Sequence, residues 1–244
     1  MSTAFISDLH LSAKAPEISQ RFEHYLANEL QGVKNLYILG DLFEYWIGDD
    51  AATILGMQPV LNALKKLTDA GITGYLLVGN RDFLIGQEFA KLTGFTLLED
   101  ETVVTIGGEQ VLVLHGDSLC TDDHLHQQFR EQMMCNKAFH QHALSLSIEE
   151  RIKTAEQMRG MSAEHKSEIN DDIMDVNLSA VVQLFEKKGV TRMIHGHTHR
   201  PDIHQHETAL GSAERIVLGD WYTQSSFLIH NESGFQLSNL LNNS

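Results

Sequence analysis

The hydropathy pattern divides this chain into short apolar runs, most of them closed by a polar or glycine-rich loop. Five stand out: "AFISDLH", "NLYILGDLF", "GYLLVGNRD", "QVLVLHGD" and "TRMIHGHTH". Continuous apolar runs bounded by turn signals fit buried strands. Between the first three runs the period lengthens. Ile18, Phe22, Tyr25, Leu26 and Leu30 recur at helical spacing, as do Val60, Leu61, Leu64 and Leu67, with Gly71 as a C-terminal stop. Strand and helix alternating in this way predict βαβ units. The pattern changes at "TVVTIGGEQVLVLHG", two β-rich runs about Gly107-Gly108, which predicts a hairpin. The stretch "RIVLGDWYTQSSFLIHNESGFQLSNL" also reads as short strands and turns. The expected architecture is one α/β domain over residues 1–244, with two packed sheets flanked by helices.

Residues 121–188 interrupt the strands and read as mostly helical. Ser147 followed by Glu150 is a capping box at the head of "SIEERIKTAEQM". Phe129, Met133, Met134, Phe139, Leu144 and Leu146 make the preceding part apolar. Two readings fit: ordinary core helices, or a helical lid inserted over a site, with methionines forming an adaptable apolar surface.

Charge narrows the partners. The net charge is −15, which excludes a broad electrostatic grip on nucleic acid. The acidity is uneven: residues 1–120 hold 16 acids against 7 Lys and Arg, whereas 121–170 hold 8 against 6. The helical segment is thus near neutral within an acidic chain. Cys120 and Cys135 form no CxxC pair, so a disulfide framework or thiolate zinc site is not expected. The N-terminal "MSTAFISDLH" has no basic n-region or long apolar h-region. No uninterrupted apolar run approaches the ~18 residues that span a bilayer, and the scarcity of cysteine leads to the expectation of a reducing cytoplasm.

The chemistry lies in the loops that close the five runs. They carry Asp8 and His10, then Asp41, Asn80, His115, and finally His197 and His199. In open α/β sheets the loops at strand C-termini converge on the ligand site. Seven oxygen and nitrogen donors exceed what one metal ion needs, and a carboxylate such as Asp41 can bridge two. A set rich in histidine and carboxylate, with no thiolate, suits Mn²⁺, Fe²⁺ or Zn²⁺ better than Ca²⁺ or Mg²⁺. Any one of these motifs alone is an ordinary turn or helix cap. All five in sequence, each after an apolar run, are not.

This order of loops, from Asp8 to His199, resembles the calcineurin-like metallophosphoesterase superfamily, whose motifs run D-x-H, G-D, G-N-H-D, G-H and G-H-x-H. The resemblance implies a four-layer αββα sandwich of two mixed sheets. It implies one metal held by Asp8, His10, Asp41 and His199, and a second held by Asp41, Asn80, His115 and His197. One position departs from the superfamily, where a histidine usually follows the asparagine; here it is Arg81. A guanidinium cannot act as a general acid near neutral pH, but its fork of donors fits phosphate oxygens. Charge stabilisation without leaving-group protonation suits a diphosphate better than an alkyl monoester. Asp82 is expected to orient a neighbouring histidine rather than to ligate.

Within the superfamily, "GNRD", "YILGDLFEYWIGDD", "HGDSLCTDD", "IMDVN" and "IHGHTHRP" resemble the UDP-2,3-diacylglucosamine diphosphatase family of lipid A biosynthesis. That resemblance implies hydrolysis at the α-phosphorus, by a hydroxide bridging two Mn²⁺ ions, to UMP and 2,3-diacylglucosamine 1-phosphate. It also implies a lipid-linked UDP-sugar substrate, peripheral association with the inner membrane of a Gram-negative bacterium, and a lid that takes the acyl chains. No obligate protein partner is expected. Substrate contacts carry over to Asn80, Arg81, Asp123, Ser162 and His197. Where many relatives have an Asn and a Lys beyond the lid serine, this chain has Lys166 and Ile169, so Lys166 is the candidate cation from a shifted position. His195 reads as a core histidine. Tyr45 and Trp46 read equally as packing or site wall. His124, His126, His140, His142 and His165 read as solvated or partly buried helix positions. The rivals are another metal-dependent nucleotide diphosphate hydrolase or phosphodiesterase, and a non-catalytic scaffold of the same fold. The Met- and Phe-rich segment and the full donor set speak against them.

Overall fold

The computed structural model describes residues 2–168, 173 and 175–240, with the side chains of 161–168 outside the description. The first sheet contains β1 (Ser2–Ile6), β2 (Val33–Leu39), β3 (Thr73–Leu77), β4 (Thr96–Leu97), β10 (Ser226–Asn231) and β11 (Gly234–Asn239). Its order is β11-β10-β1-β2-β3-β4, parallel from β1 to β4 and antiparallel at β10 and β11. The second sheet contains β5 (Thr102–Ile106), β6 (Glu109–Val113), β7 (Arg192–His195), β8 (Asp202–Thr208) and β9 (Gly211–Val217), in the order β5-β6-β7-β9-β8. The expected hairpin is β5–β6, and both Gly107 and Gly108 have positive φ, as the primed turns that suit twisted ribbons require.

Alternation along the strands explains why the runs are apolar on both sides. In β1, Phe5 faces the second sheet while Ala4 and Ile6 face helices. In β2, Tyr37 and Leu39 point inward, and Leu36 and Ile38 outward. The second sheet mirrors this: Val111, Val113 and Ile194 meet the first sheet, and Leu112, Leu114 and Met193 face away. The outward face of the first sheet is covered by α1 (Pro16–Asn28), α2 (Gln58–Asp69) and α3 (Gln87–Thr93) through Ile18, Phe22, Tyr25, Val60, Leu61, Leu64 and Phe89. The outward face of the second is covered by α7 (Leu178–Lys188) through Val181, Leu184 and Phe185. The layers are therefore α, β, β, α, as expected, and each fully buried Leu, Ile or Phe contributes about 1.5–3 kcal/mol.

Segment 121–188 divides in two. Its last part is α7, a structural layer. Its earlier part is α4 (His124–Phe129), a π turn over Arg130–Met134, α5 (Lys137–Ser145) and α6 (Ile148–Glu168). The π turn stands where Arg130 pairs with both Asp100 and Asp117, so the helix bends at a residue anchored to the body. Ser147 and Glu150 form the expected capping box: the Glu150 carboxylate accepts the Ser147 amide at 2.9 Å, and the Ser147 hydroxyl accepts the Glu150 amide at 3.3 Å.

Candidate metal centre

The parallel strands end at one level, and their loops are laced together there. The Asp8 amide donates to the Gly40 carbonyl at 3.1 Å, the His10 amide to Asp41 at 2.9 Å, and the Gly196 amide to His115 at 2.9 Å. The backbone is also bent to aim side chains inward. Among the described residues seven non-glycines have positive φ, and five of these are Asp8, His10, Asp41, His197 and His199. Each such residue costs of order 1–3 kcal/mol and persists only where the surroundings impose it. Two glycines permit the close approach. A Cβ on Gly79 would collide with the Asp41 carboxylate, and one on Gly196 with Asp8 and Ser7.

All seven expected donors come together. His199 Nε2 lies 3.3 Å from Asp8 Oδ1 and 3.5 Å from His10 Nε2. On the other side, Asn80 Oδ1 lies 3.0 Å from His115 Nε2 and 3.1 Å from His197 Nδ1. Asp41 stands between the two groups: Oδ2 is 3.8 Å from His10 Nε2, and Oδ1 is 3.7 Å from His115 Nε2. Asp8, His10 and His199 form one cluster with the spacing of metal ligands, and Asp8, Asp41 and His115 form another.

The donor chemistry fits cations. The Nδ1 of His115 faces the Leu39 carbonyl at 2.9 Å, so it carries the proton in the neutral ring and leaves the Nε2 lone pair toward the Asn80 oxygen. Two acceptors then face each other. Asp8 Oδ1 is buried without a hydrogen-bond partner. Burial works against protonating His115, yet Asp41, Asp8 and Asp117 push its pKa up to about 9. The same negative field attracts a metal ion. Burial pushes the Asp8 carboxyl up, but His199, His115 and His10 outweigh it, and the net direction is down. His10 and His197 move down, chiefly through burial.

Asp82 is placed differently from the expectation. Its fully buried carboxylate accepts backbone amides from Leu42 at 2.7 Å, Gly79 at 2.8 Å and Phe43 at 3.3 Å, and no histidine. It braces the Asp41 and Asn80 loops together, and burial beside Asp41 raises its pKa to about 7. The carboxylates facing the far nitrogens of donor histidines are Glu44, 3.5 Å from His10 Nδ1, and Asp220, 3.9 Å from His199 Nδ1. Sequence reasoning missed both, since neither belongs to a His-containing motif. It also missed His126, whose ring lies 5.1 Å from that of His197 and whose Nε2 is 3.5 Å from Asp117.

The remaining expected residues are distributed around this centre. The Arg81 amide donates to Asp41 Oδ1 at 2.8 Å, and its side chain is half-buried with no ion pair among the described residues. Burial and Glu44 push the Tyr222 phenol up, against the charges of Arg81 and Arg159. Asp123 is buried and caps α4 through the His126 amide. The side chains of Ser162, His165 and Lys166 lie outside the described residues, as does Ile169. His195 is a core histidine, fully buried and held by Arg215 at 3.1 Å. Trp46 is core, stacked on Phe43 and bonded to Asp49 at 2.9 Å. His140 and the rings of Phe129 and Phe139 gather on Phe83, two residues beyond Arg81.

Residues 1–201 match the family model described as calcineurin-like phosphoesterase. Two curated relatives are similar over nearly their whole length. One is a UDP-2,3-diacylglucosamine hydrolase of Yersinia enterocolitica, 46% identical over 93% of this chain and 94% of its own. Another, of the same name, from Photobacterium profundum, is 42% identical over 97% and 96%.

Proposed function

Because the chain belongs to the calcineurin-like phosphoesterase family, we propose that it hydrolyses UDP-2,3-diacylglucosamine at the α-phosphorus. The products are UMP and 2,3-diacylglucosamine 1-phosphate. The observation that carries this reading is the convergence of seven donors on loops that include Arg81, whose guanidinium has no ion pair among the described residues. Asp8, His10, Asp41 and His199 would hold one divalent ion, and Asp41, Asn80, His115 and His197 a second. The oxygen–nitrogen donor set suits Mn²⁺, Fe²⁺ or Zn²⁺, and of these the family resemblance favours Mn²⁺. Such ions, when bound, lower the pKa of water to about 7 and neutralise phosphoryl charge.

The chain's own residues supply the rest. Arg81 contacts the equatorial oxygens of the α-phosphoryl group, where charge builds as the bond to the sugar phosphate breaks. Asp82 keeps Arg81 and Asp41 in register by tying their loops together. Asn80, Asp123, Ser162, Lys166 and His197 contact the substrate. The helices of 121–168 form a lid for the acyl chains, and their near-neutral surface associates peripherally with the cytoplasmic face of the inner membrane. No helix among the described residues is long and apolar enough to cross a membrane.

The test is incubation of the purified protein with UDP-2,3-diacylglucosamine and Mn²⁺ in ¹⁸O-water. The expected result is UMP carrying one labelled oxygen. Label in the sugar 1-phosphate would overturn attack at the α-phosphorus, and the absence of UMP would overturn the substrate.

A further inference from the structure

Outside the seven donors, one carboxylate gathers contacts from three parts of the molecule. Glu44 follows Asp41 on the loop after β2. Its Oε2 accepts the Tyr222 hydroxyl at 2.9 Å and stands 3.5 Å from His10 Nδ1, a buried nitrogen with no hydrogen-bond partner among the described residues, so the two face each other without a made hydrogen bond. Its Oε1 pairs with the Arg159 guanidinium of α6 at 2.8 Å. Tyr222, on the loop after β9, also stacks on the His10 ring at 5.6 Å and 27°. The side chain of Glu44 is 16% exposed and that of Arg159 35%, so the carboxylate end of this pair is shielded from water while the guanidinium end is partly open to it.

The helix that brings Arg159 is docked by few contacts. Arg151, Ile152, Ala155, Met158 and Arg159 are its less exposed residues between 151 and 160, and they share one helical face. Arg151 reaches the Ile47 carbonyl at 2.6 Å and both oxygens of Asp50. Arg159 reaches Glu44 from the other end of that face. Near Arg159 lies a cavity of about 240 Å³, bordered by Ile152, Glu44, Tyr45, Ile54 and Met57. At Arg159, among the described residues, the ion pair with Glu44 and a stacking contact of the guanidinium over the Tyr45 ring at 5.7 Å fasten α6 to the body.

We propose that Glu44 is a positioning residue that couples the docking of α6 to the grip of His10 on a metal ion. The proposal rests on the reading of His10 as a ligand. A carboxylate at the far nitrogen of a ligating imidazole fixes the ring and raises its basicity. Glu44 holds this position through its own two tethers, Tyr222 from the loop after β9 and Arg159 from α6. When α6 lifts, one tether is lost and the carboxylate is free to turn away from His10. Linkage makes the effect reciprocal: whatever factor docking adds to metal affinity, metal adds to docking.

The test compares wild type, Glu44→Gln, Arg159→Met and the double variant. Mn²⁺ affinity is measured by calorimetry. Amide exchange across 151–160 is measured with and without Mn²⁺. The expected loss of affinity for Glu44→Gln is roughly 10–100-fold, the range for removing such a partner. Arg159→Met, which keeps the apolar stem, loses less, and the double variant loses less than the product of the two. Mn²⁺ slows exchange in α6 of the wild type and fails to do so in Glu44→Gln. A merely structural role for Glu44 would not make a lid helix respond to metal. Unchanged Mn²⁺ affinity in Arg159→Met, or α6 exchange indifferent to Mn²⁺ in the wild type, would overturn the coupling while leaving the metal centre intact. A wild-type protein that binds no Mn²⁺ would overturn both.

Discussion

At the scale of single residues, the loop "GNRD" concentrates three roles in three side chains. Asn80 aims its oxygen at His115 and His197, Arg81 projects a guanidinium with no ion pair among the described residues, and Asp82 ties the loop to that of Asp41. The donors were legible in the sequence because each closes an apolar run, and the topology then forces those ends together. Glu44, Asp220, Tyr222 and His126 were not legible, since their place beside the donors is created by loops meeting across the two sheets. Asp82 was misread for a related reason: a carboxylate in a histidine-rich site suggests a histidine partner, whereas backbone amides leave no trace in a sequence. Arg81→Ala separates the roles. It removes a preorganised donor, so kcat/KM should fall by about 2.7–4 kcal/mol equivalent, or roughly 100–1000-fold. Because a guanidinium keeps its charge from about pH 6 to 9, the ratio of variant to wild-type rates should stay flat there. The check is a pH–rate profile with metal content assayed on the same samples. A fully active variant with two ions bound would remove Arg81 from the reaction.

At the scale of elements, the strands and the first two helices follow directly from periodicity, and the hairpin from Gly107-Gly108. What periodicity does not reveal is which layer a helix joins. The sequence shows 121–188 as one helical tract, yet α7 buries Val181, Leu184 and Phe185 on the second sheet while α4 to α6 lie elsewhere. The boundary is marked by Asn177. Its side-chain oxygen accepts the Ser179 amide at 2.9 Å and the Ala180 amide at 3.1 Å, and its nitrogen reaches Asp122. Asn177→Ala should therefore destabilise the fold by about 0.5–2 kcal/mol, the usual cost of losing a cap. Urea denaturation measures it. The donors stand on other loops, so metal affinity should be unchanged, and a large drop in metal affinity would show that α7 does more than complete a layer.

At the scale of the whole molecule, charge decides two behaviours. Asp8, Asp41 and Asp82 are buried within one acidic centre of a chain of net charge −15, so bound cations should stabilise the fold. At a free metal concentration of about 100 times Kd the gain is about 2.7 kcal/mol. Chelation should then lower Tm by roughly 5–10 °C for a domain of this size, and Mn²⁺ should restore it. A Tm indifferent to both would argue against metal in the centre. The second behaviour concerns the membrane. The 121–170 segment is near neutral and exposes Leu125 at 59% and Leu144 at 46%. Such a surface can insert shallowly, while the remaining net negative charge is repelled by anionic lipid. These opposing terms predict loose binding that is stronger on zwitterionic than on anionic vesicles at low salt. Raising salt screens the repulsion and should close that gap, because the Debye length falls from about 30 Å at 0.01 M to about 8 Å at 0.15 M. Replacing Leu125 and Leu144 together with Glu should abolish binding to both vesicle types. Sedimentation with vesicles of each composition reads all three outcomes. Failure to sediment with either type, even at high salt, would refute peripheral association, and tighter binding to anionic vesicles at low salt would refute repulsion by the net charge.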